Sequence, residues 1–176
     1  SWFAMGRQLT GAGKDPVLIS WSGSMFEYLM PMLIAPVYDD TLLDQTQKGA
    51  VRRQIEYGQR RNLPWGLSES CFNMVHANMD YMYRAFGVPG LGLKRGLADD
   101  YVVAPYASMM ALMIEPDEAY ENLKEMSLQG FEGRWGFYEA IDYTAARLQR
   151  GQTESIVKAF MTHHQGMGFL SLAYLL

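Results

Sequence analysis

Trp65-Gly66-Leu67-Ser68-Glu69 and Trp135-Gly136-Phe137-Tyr138-Glu139 are two copies of one pattern, W-G-x-x-E. Each copy follows a helix-like segment, turns on its Trp-Gly pair and delivers one carboxylate. Similar stretches at a distance in one chain indicate an internal repeat. If the copies occupy equivalent places in a repeated helical architecture, their two glutamates face the same opening of the fold.

Glu69 and Glu139 are therefore the first candidates for chemistry. Glycosyl transfer needs two carboxylates, because one manages protons while the other attacks the sugar or activates water. Tryptophans beside them suit sugar faces. The alternative is that W-G-x-x-E recurs by chance in an aromatic-rich chain, with each glutamate forming a cap or a salt bridge.

The composition predicts one substantial core and excludes some partners. The chain has 176 residues, of which 49% are hydrophobic, and this is long enough for one domain or part of a larger one. The net charge is −4, and the 15 Lys and Arg form no basic stripe, so we expect no nucleic-acid partner. The single Cys71 excludes an internal disulfide and fits a reducing compartment.

No segment is predicted to enter a membrane, and both ends suggest a longer protein. The longest apolar run, 28–37, contains two prolines and is far short of the roughly 20 residues that span a bilayer. Residues 1–7 include no initiator Met and no signal-peptide layout. The apolar pattern of 169–176 ends without a helix cap. We expect a fragment, truncated at both ends, of a single domain.

The clearest helix signal runs from Asp40 to Arg61. Apolar or small residues recur there at spacings of three and four, which is typical of an amphipathic helix, and Thr41 is a suitable N-cap. This stripe consists of Leu43, Thr46, Gln47, Ala50, Val51, Gln54, Ile55 and Gly58.

Other segments also carry helix signals. Residues 24–35 predict a buried helix with Ser22 or Ser24 as its N-cap and a kink or break at Pro31. Further helices are predicted over 102–114, 115–129 and 153–161. Because no convincing alternation of apolar and polar residues appears, the sequence predicts an all-α fold.

Two further glutamates are held in reserve as catalytic candidates. Glu27 lies in an apolar segment, so it must be paired, protonated or functional, and structural pairing is favoured. Glu56 and Arg60 are four residues apart on the predicted helix, which is typical of an ordinary solvated pair.

Polar residues near the second Trp-Gly copy complete the candidate set. Asp142 is three residues after Glu139, and on a helix the two acids would share a face. Adjacent histidines such as His163 and His164 point in different directions on a helix, so we predict no metal site. These histidines can instead hydrogen-bond to substrate or to Glu139, or serve as structural histidines.

Residues after Glu69 have less specific signals. Cys71 with His76 could form a nucleophile and base, but a free cysteine is more often a small buried hydrophobe. Tyr81, Tyr83 and Phe86 supply either core packing or a sugar platform, and for at least two of them core packing is favoured.

Several dense blocks, taken together, resemble a known family. They are SWSGSMFEYLMP (20–31), LDQT (43–46), PWGLSES (64–70), YRAFGVPGLGLKRGL (83–97), VAPYA (103–107), GFYEA (136–140) and HHQGM (163–167). In this order they resemble the glucoamylase-like domain of cyclic β-1,2-glucan synthases and, less closely, the related endo-β-1,2-glucanases. Cys71-Phe72-Asn73 departs from members that carry a small residue and Tyr before Asn.

This resemblance implies an (α/α)6 toroid, of which 176 residues are only a part, and β-1,2-glucan as substrate. The synthases carry out a retaining transglycosylation that closes a linear glucan into a ring, whereas the endo-glucanases invert and hydrolyse. It also implies a larger multidomain synthase in the bacterial inner membrane, with this domain on the cytoplasmic side. No cofactor is implied.

The repeat, rather than the resemblance, assigns the catalytic pair: Glu139 as nucleophile and Glu69 as acid/base. A retaining acid/base needs a raised pKa, which desolvation by Trp65 could supply. Candidates for stacking on glucose are Trp21, Trp65, Tyr106 and Trp135, and candidates for hydrogen bonds to sugar are Asp142, His163, His164 and Gln165. A hydrolase or a non-catalytic glucan-binding module remain alternatives.

Overall fold

A computed structural model describes residues 6–12 and 15–176. Its α-helices are α1 (Met25–Leu29), α2 (Leu42–Arg61), α3 (Pro105–Ala111), α4 (Pro116–Leu128) and α5 (Thr162–Tyr174), and 3-10 helices cover Met30–Leu33 and Ala145–Arg147. The strands are β1 (Leu9–Ala12), β2 (Asp15–Leu18), β3 (Glu69–Val75), β4 (Tyr81–Ala85), β5 (Val102–Val103), β6 (Glu132–Gly133), β7 (Gly136–Phe137), β8 (Ala140–Asp142) and β9 (Ser155–Val157).

The prediction of an all-α fold is wrong. The structure is 39% helix and 21% strand, and the strands form several small antiparallel sheets. Pairs β1–β2, β3–β4 and β6–β7 are antiparallel hairpins, while β8 pairs with both β5 and β9. Most of these strands have two to five residues. Such short strands leave no visible alternation in the sequence, so a prediction from periodicity misses them.

Helix α2 confirms the prediction for its segment. It starts after Thr41, whose Oγ1 accepts a hydrogen bond from the Asp44 backbone N–H at 3.2 Å, and it ends at Asn62 in the left-handed region (φ 52°). The predicted stripe is buried except for Leu43, which is 46% exposed. No helix within 6–12 and 15–176 is long and apolar enough to cross a bilayer.

Of the other predicted helices, three contain a helix in the structure and one does not. The predicted helix 24–35 is split into α1 and a 3-10 turn that contains Pro31, and Ser24 is its N-cap, as expected. Pro105 and Pro116 stand in the first turns of α3 and α4. The predicted helix 153–161 is wrong, because β9 forms there by pairing with β8.

Two apolar clusters carry the fold. The larger one lies among α1, α2, α3 and α4, and it includes the side chains of Trp65, Leu67 and Tyr106. The smaller one joins β3 to β8 and β9 through Cys71, Phe72, Phe86, Val102, Ala140 and Val157. Leu67 and Cys71 belong to different clusters, so the segment that carries Glu69 runs from one cluster to the other.

Gln54 of α2 fixes the start of that segment. Its Oε1 accepts the Leu67 backbone N–H at 2.9 Å, and its Nε2 donates to the Leu67 carbonyl at 2.9 Å. Gln54 is fully buried, so these bonds replace the water that the Leu67 backbone loses on folding. Glu69 therefore leaves the core from a backbone that α2 holds in place.

A pair of substitutions on α2 tests this role. Gln54→Leu leaves the polar groups of Leu67 without their amide partners and should lower the free energy of unfolding by about 2 to 4 kcal/mol. Gln47 is the matched control, because it is 1% exposed and its side-chain nitrogen and oxygen have no partner among the described residues. Gln47→Leu should be neutral or stabilising in urea unfolding. Equal losses for both variants would contradict this account.

Candidate active site

Glu139 is a buried carboxylate with a complete set of partners. It precedes β8 and is 2% exposed. The Cys71 backbone N–H donates to its Oε1 at 3.1 Å, and His164 Nδ1 lies 2.9 Å from Oε1 and 3.0 Å from Oε2. A carboxylate this deeply buried requires such partners, because desolvation of an unpaired charge is costly. Glu139 thus connects β3 to the first turn of α5.

His164 is held on its face and at both ring nitrogens. It is 1% exposed, and its ring stacks on Tyr106 with centroids 3.8 Å apart and planes 10° apart. Nδ1 contacts Glu139, while Nε2 lies 3.4 Å from the hydroxyl of Tyr83. The structure therefore brings His164 and Glu139 together, which is one of the three roles that the sequence suggested for the histidines.

Glu69 is the more accessible carboxylate of the candidate pair. It is the first residue of β3 and is half-buried, and its Oε2 lies 3.4 Å from the Tyr83 hydroxyl. The Tyr106 hydroxyl donates to the Glu69 carbonyl at 3.0 Å and lies 2.8 Å from Ser68 Oγ. These contacts fix the Glu69 backbone and leave its carboxylate toward the surface.

The two glutamates belong to one hydrogen-bonded cluster, which we call the Glu69–Glu139 cluster: Glu69, Tyr83, Tyr106, Glu139 and His164. Tyr83 contacts Glu69 and His164, and His164 contacts Glu139. Beside Glu139 lies a cavity of about 10 Å³, lined by Tyr106, His164 and neighbouring side chains. That is roughly the space of one water molecule, so Glu139 is closed off in this conformation and Glu69 is the more exposed of the two carboxylates.

Burial shapes the electrostatics of the cluster. Desolvation, followed by the negative charges of Glu69 and Glu139, raises the pKa of the Tyr83 phenol. Desolvation also raises the pKa of Tyr106 well above its usual value, and both phenols are protonated donors at neutral pH. Burial and the neighbouring His164 lower the pKa of His163. Burial and Glu139 raise the pKa of the Cys71 thiol to about 11, so it carries little of the thiolate that a nucleophile needs.

The predicted stacking residues divide into surface and core. Trp21 is 66% exposed and Trp135 is 72% exposed, and the Arg134 guanidinium lies 4.7 Å from the Trp135 ring. Trp65 and Tyr106 are buried in the larger cluster. Only the exposed pair presents a free aromatic face, and Tyr106 gives its face to His164.

The two copies of W-G-x-x-E share a turn and little else. Gly66 and Gly136 both have positive φ, of 114° and 100°. The first copy leads from the core into β3, whereas the second forms the tip of the exposed β6–β7 hairpin. Their glutamates nevertheless belong to the same cluster. Cys71 lies two residues after Glu69 on β3, and its backbone N–H donates to Glu139.

Asp142 does not join the cluster. The prediction that it shares a helix face with Glu139 is wrong, because Asp142 lies in strand β8 and Glu139 immediately precedes that strand, so neither residue is on a helix. Asp142 is fully buried and accepts hydrogen bonds from Arg147 Nε at 2.6 Å and from the backbones of Asn73 and Thr144. His163 and Gln165 are exposed on the first turn of α5 beside the cluster.

Glu27 and Glu56 lie in settings that differ from the cluster. Glu27 forms a capping box with Ser24 and also accepts hydrogen bonds from Ser20 and from both the backbone and the hydroxyl of Ser22. Glu56 pairs with Arg60 at 3.5 Å on the exposed side of α2, which confirms the predicted solvated pair.

Tyr83 is the residue whose position the sequence did not reveal. Its place follows from the β3–β4 register, in which Cys71 pairs with Tyr83. The sequence leaves Tyr81, Tyr83 and Phe86 open as core or platform residues, and without a predicted hairpin nothing pairs Tyr83 with Cys71, two residues from Glu69. The signal that the sequence offers for this strand is the alternation of Tyr81, Tyr83 and Ala85, whose side chains would share one face.

The chain resembles known proteins in both sequence and fold. The family described as "Putative glucoamylase" matches residues 1–175, and the chain belongs to that family. The chain is 42% identical over 172 residues to the cyclic β-(1,2)-glucan synthase NdvB of Rhizobium meliloti (strain 1021). The match covers 98% of the chain and 6% of NdvB, so the chain corresponds to a small part of that relative.

Solved structures share the fold at low sequence identity. An endo-β-1,2-glucanase from Chitinophaga pinensis, in complex with sophorotriose and glucose, superposes with a TM-score of 0.64 at 15% identity, over 99% of this chain and 42% of that chain. A protein from Bacteroides caccae described as a "putative glucoamylase" gives a TM-score of 0.61 at 16% identity, over 90% of this chain and 38% of that chain. These likenesses show a common fold.

The hydrogen bonds from Ser20, Ser22 and Ser24 to the Glu27 carboxylate predict how Glu27 affects the free energy of unfolding as the pH changes. Burial raises the pKa of Glu27, but the hydrogen bonds from Ser22, Ser24 and Ser20 outweigh it and lower the pKa below its usual value. A carboxyl with a lower pKa in the folded state stabilises above its unfolded pKa, and this stabilisation is lost as pH falls through the folded value. Glu27→Gln should therefore lower the free energy of unfolding at pH 7 and have a smaller effect at acidic pH.

The matched control is Glu56→Gln, which removes an exposed ion pair and should change the free energy of unfolding by no more than about 0.5 kcal/mol at either pH. Urea unfolding at pH 7 and pH 3.5 measures both variants. If Glu27→Gln changed the free energy of unfolding equally at both pH values, Glu27 would not be an ionised carboxylate stabilised by hydrogen bonds from the three serines.

Proposed function

We propose that this protein makes or breaks glycosidic bonds of β-1,2-glucan, with Glu69 and Glu139 as its catalytic pair. The observation that carries the proposal is the Glu69–Glu139 cluster, in which two carboxylates of different exposure are joined through Tyr83 and His164. Membership of the glucoamylase family and the names of the similar synthase and glucanase supply the substrate class.

The two carboxylates take different roles in this proposal. Glu69 can reach a glycosidic oxygen and serves as acid/base. Glu139 serves as nucleophile, and the Cys71 backbone N–H and His164 orient its oxygens. The cavity beside Glu139 is small, so substrate binding must widen it before the buried carboxylate meets an anomeric carbon. This role requires local movement of the stacked Tyr106 and His164 rings.

We propose retaining transglycosylation, which closes a linear glucan into a ring, as the reaction. The 42% identity to a synthase named for cyclic glucan favours it over hydrolysis, since the glucanase likeness is at 15% identity. We further propose that residues 1–176 are one piece of a single domain in a larger multidomain protein, with this piece on the cytoplasmic face of the bacterial inner membrane.

The catalytic pair is tested by Glu69→Gln and Glu139→Gln. Each change removes ionisation at nearly constant volume, so we expect transfer on linear β-1,2-glucan to fall by at least about 100-fold. Mass spectrometry of the products separates rings from shorter linear chains. Glu56→Gln is the control and should retain activity. Activity near the unsubstituted level in both glutamine variants would refute the pair.

A smaller substitution tests the nucleophile separately. Glu139→Ala opens space beside His164, and added azide can then attack the sugar in place of the carboxylate. Formation of a glycosyl azide by Glu139→Ala would support nucleophilic catalysis, while Glu69→Ala should yield no azide adduct of the same anomeric configuration.

Glucan binding without turnover in the unsubstituted chain, measured by calorimetry, would instead favour a non-catalytic binding module.

Exposed tryptophans predict where a glucan chain stacks. Replacing Trp21 or Trp135 by Ala removes an exposed ring and should weaken binding of a linear β-1,2-glucan by about three- to tenfold with little loss of stability. Replacing Trp65 by Ala should instead lower the free energy of unfolding by about 3 to 5 kcal/mol, because its ring lies in the core. Calorimetry and urea unfolding distinguish the two effects.

A further inference from the structure

Tyr83 occupies the point where the two halves of the Glu69–Glu139 cluster meet. Its hydroxyl is 3.4 Å from Glu69 Oε2 and 3.4 Å from His164 Nε2. Its ring stacks on His164 with centroids 6.0 Å apart and planes 27° apart. Both hydroxyl contacts are longer than a typical hydrogen bond, as catalytic hydrogen bonds often are before substrate binds.

The donors and acceptors at this point allow one continuous chain of hydrogen bonds. Ionised Glu69 can only accept, and a phenol donates its single proton while its oxygen accepts another. His164 Nδ1 faces both oxygens of Glu139, which favours a proton on Nδ1. When Nε2 is also protonated, the bonds run from Nε2–H to the Tyr83 oxygen and from the Tyr83 hydroxyl to Glu69.

We propose that Tyr83 is a positioning residue that relays a proton between His164 and Glu69, an inference that rests on the proposed function of Glu69 as acid/base. Before the glycosidic bond breaks, the Tyr83 hydroxyl passes its proton to the Glu69 carboxylate, and the Nε2–H proton of His164 moves to the Tyr83 oxygen in the same step. Glu69 then gives its proton to the leaving oxygen and, as a carboxylate, takes one from the acceptor hydroxyl in the second step of the retaining reaction. The same path in reverse returns that proton to His164 Nε2, so Glu69, Tyr83 and His164 all end as they began.

The surroundings of Tyr83 favour a relay over a stable phenolate. Glu69 and Cys71 face it from β3, Glu139 lies behind His164, and His163 is tilted toward its ring at 6.4 Å between centroids. Desolvation and the two carboxylates raise its phenol pKa, so a phenolate does not persist between the two transfers. Concerted movement of both protons avoids that charged state.

The substitution that tests the relay is Tyr83→Phe, which keeps the ring on His164 and removes only the hydroxyl. In the full chain acting on linear β-1,2-glucan, we expect kcat to fall by about 10- to 100-fold while KM changes by less than about twofold. Tyr120→Phe is the matched control, because Tyr120 is exposed on α4 beside Lys124. It should leave kcat unchanged.

Two further readouts separate a relay from a structural role. The first is kcat measured in mixtures of H2O and D2O. For the unsubstituted chain, a plot of kcat against deuterium content should be curved, because two protons move together. For Tyr83→Phe the same plot should be a straight line. In nitrogen NMR of the histidine rings at fixed pH, Tyr83→Phe should move the Nε2 resonance of His164 and leave Nδ1 in place.

The NMR measurement tests the hydrogen bond between the Tyr83 hydroxyl and His164 Nε2 even if the proposed function is wrong. We call this hydrogen bond the link. If the unsubstituted chain shows no turnover of glucan, the proton step is refuted together with the proposed function, while a selective Nε2 change would retain the link. An unchanged Nε2 resonance, or a change at both nitrogens, would overturn the link itself. Normal kcat in Tyr83→Phe, with turnover established, would overturn the relay alone and leave the Glu69–Glu139 pair standing.

Discussion

The hydrogen-bonded pair of Glu139 and His164 is the constraint on which the candidate site depends. Both side chains are almost completely buried, and together they join the start of β8 to the first turn of α5. A buried carboxylate that lost this partner would keep its desolvation cost without compensation, which is the most destabilising outcome for such pairs. The pair therefore fixes both the orientation of α5 and the ring against which Tyr83 and Tyr106 stack.

A second, independent constraint places Glu69. The Leu67 backbone is held by the Gln54 amide and by the Met25 backbone N–H, which donates to its carbonyl at 3.0 Å. These contacts come from α1 and α2, whereas those of Glu139 come from β3 and α5. The two carboxylates are thus set by different parts of the fold and meet at β3. This separation allows the two glutamates to differ in exposure although they share one cluster.

Sequence patterns predicted what depends on neighbours along the chain. The cap at Thr41, the Ser24 cap and the helix-starting prolines all follow from local hydrogen bonding and fixed backbone angles. Strands of two or three residues, such as β5 and β8, exist because of partners far away in sequence. Their pairing is invisible to periodicity, and this is why the all-α prediction failed.

The same distinction explains the site. The repeat of W-G-x-x-E marked two turns and pointed to both glutamates, but the role of each depends on burial that the pattern does not encode. Asp142 was expected beside Glu139, yet a strand turns it to the Arg147 side. The position of Tyr83 could not be predicted because only the β3–β4 register pairs it with Cys71, two residues from Glu69, and Trp65 lies in the core.

The central claim is that a β-1,2-glucan binds across the Glu69–Glu139 cluster and that both carboxylates act on one bond. The most direct measurement is a crystal structure of the chain with a short β-1,2-glucan bound. The account predicts a glycosidic oxygen within hydrogen-bonding distance of Glu69 and a separation of the two carboxyl groups near 5 to 5.5 Å, which is typical of retaining enzymes. A glucan bound away from the cluster would contradict it, and a separation of about 6.5 to 9.5 Å would contradict retention in favour of inversion.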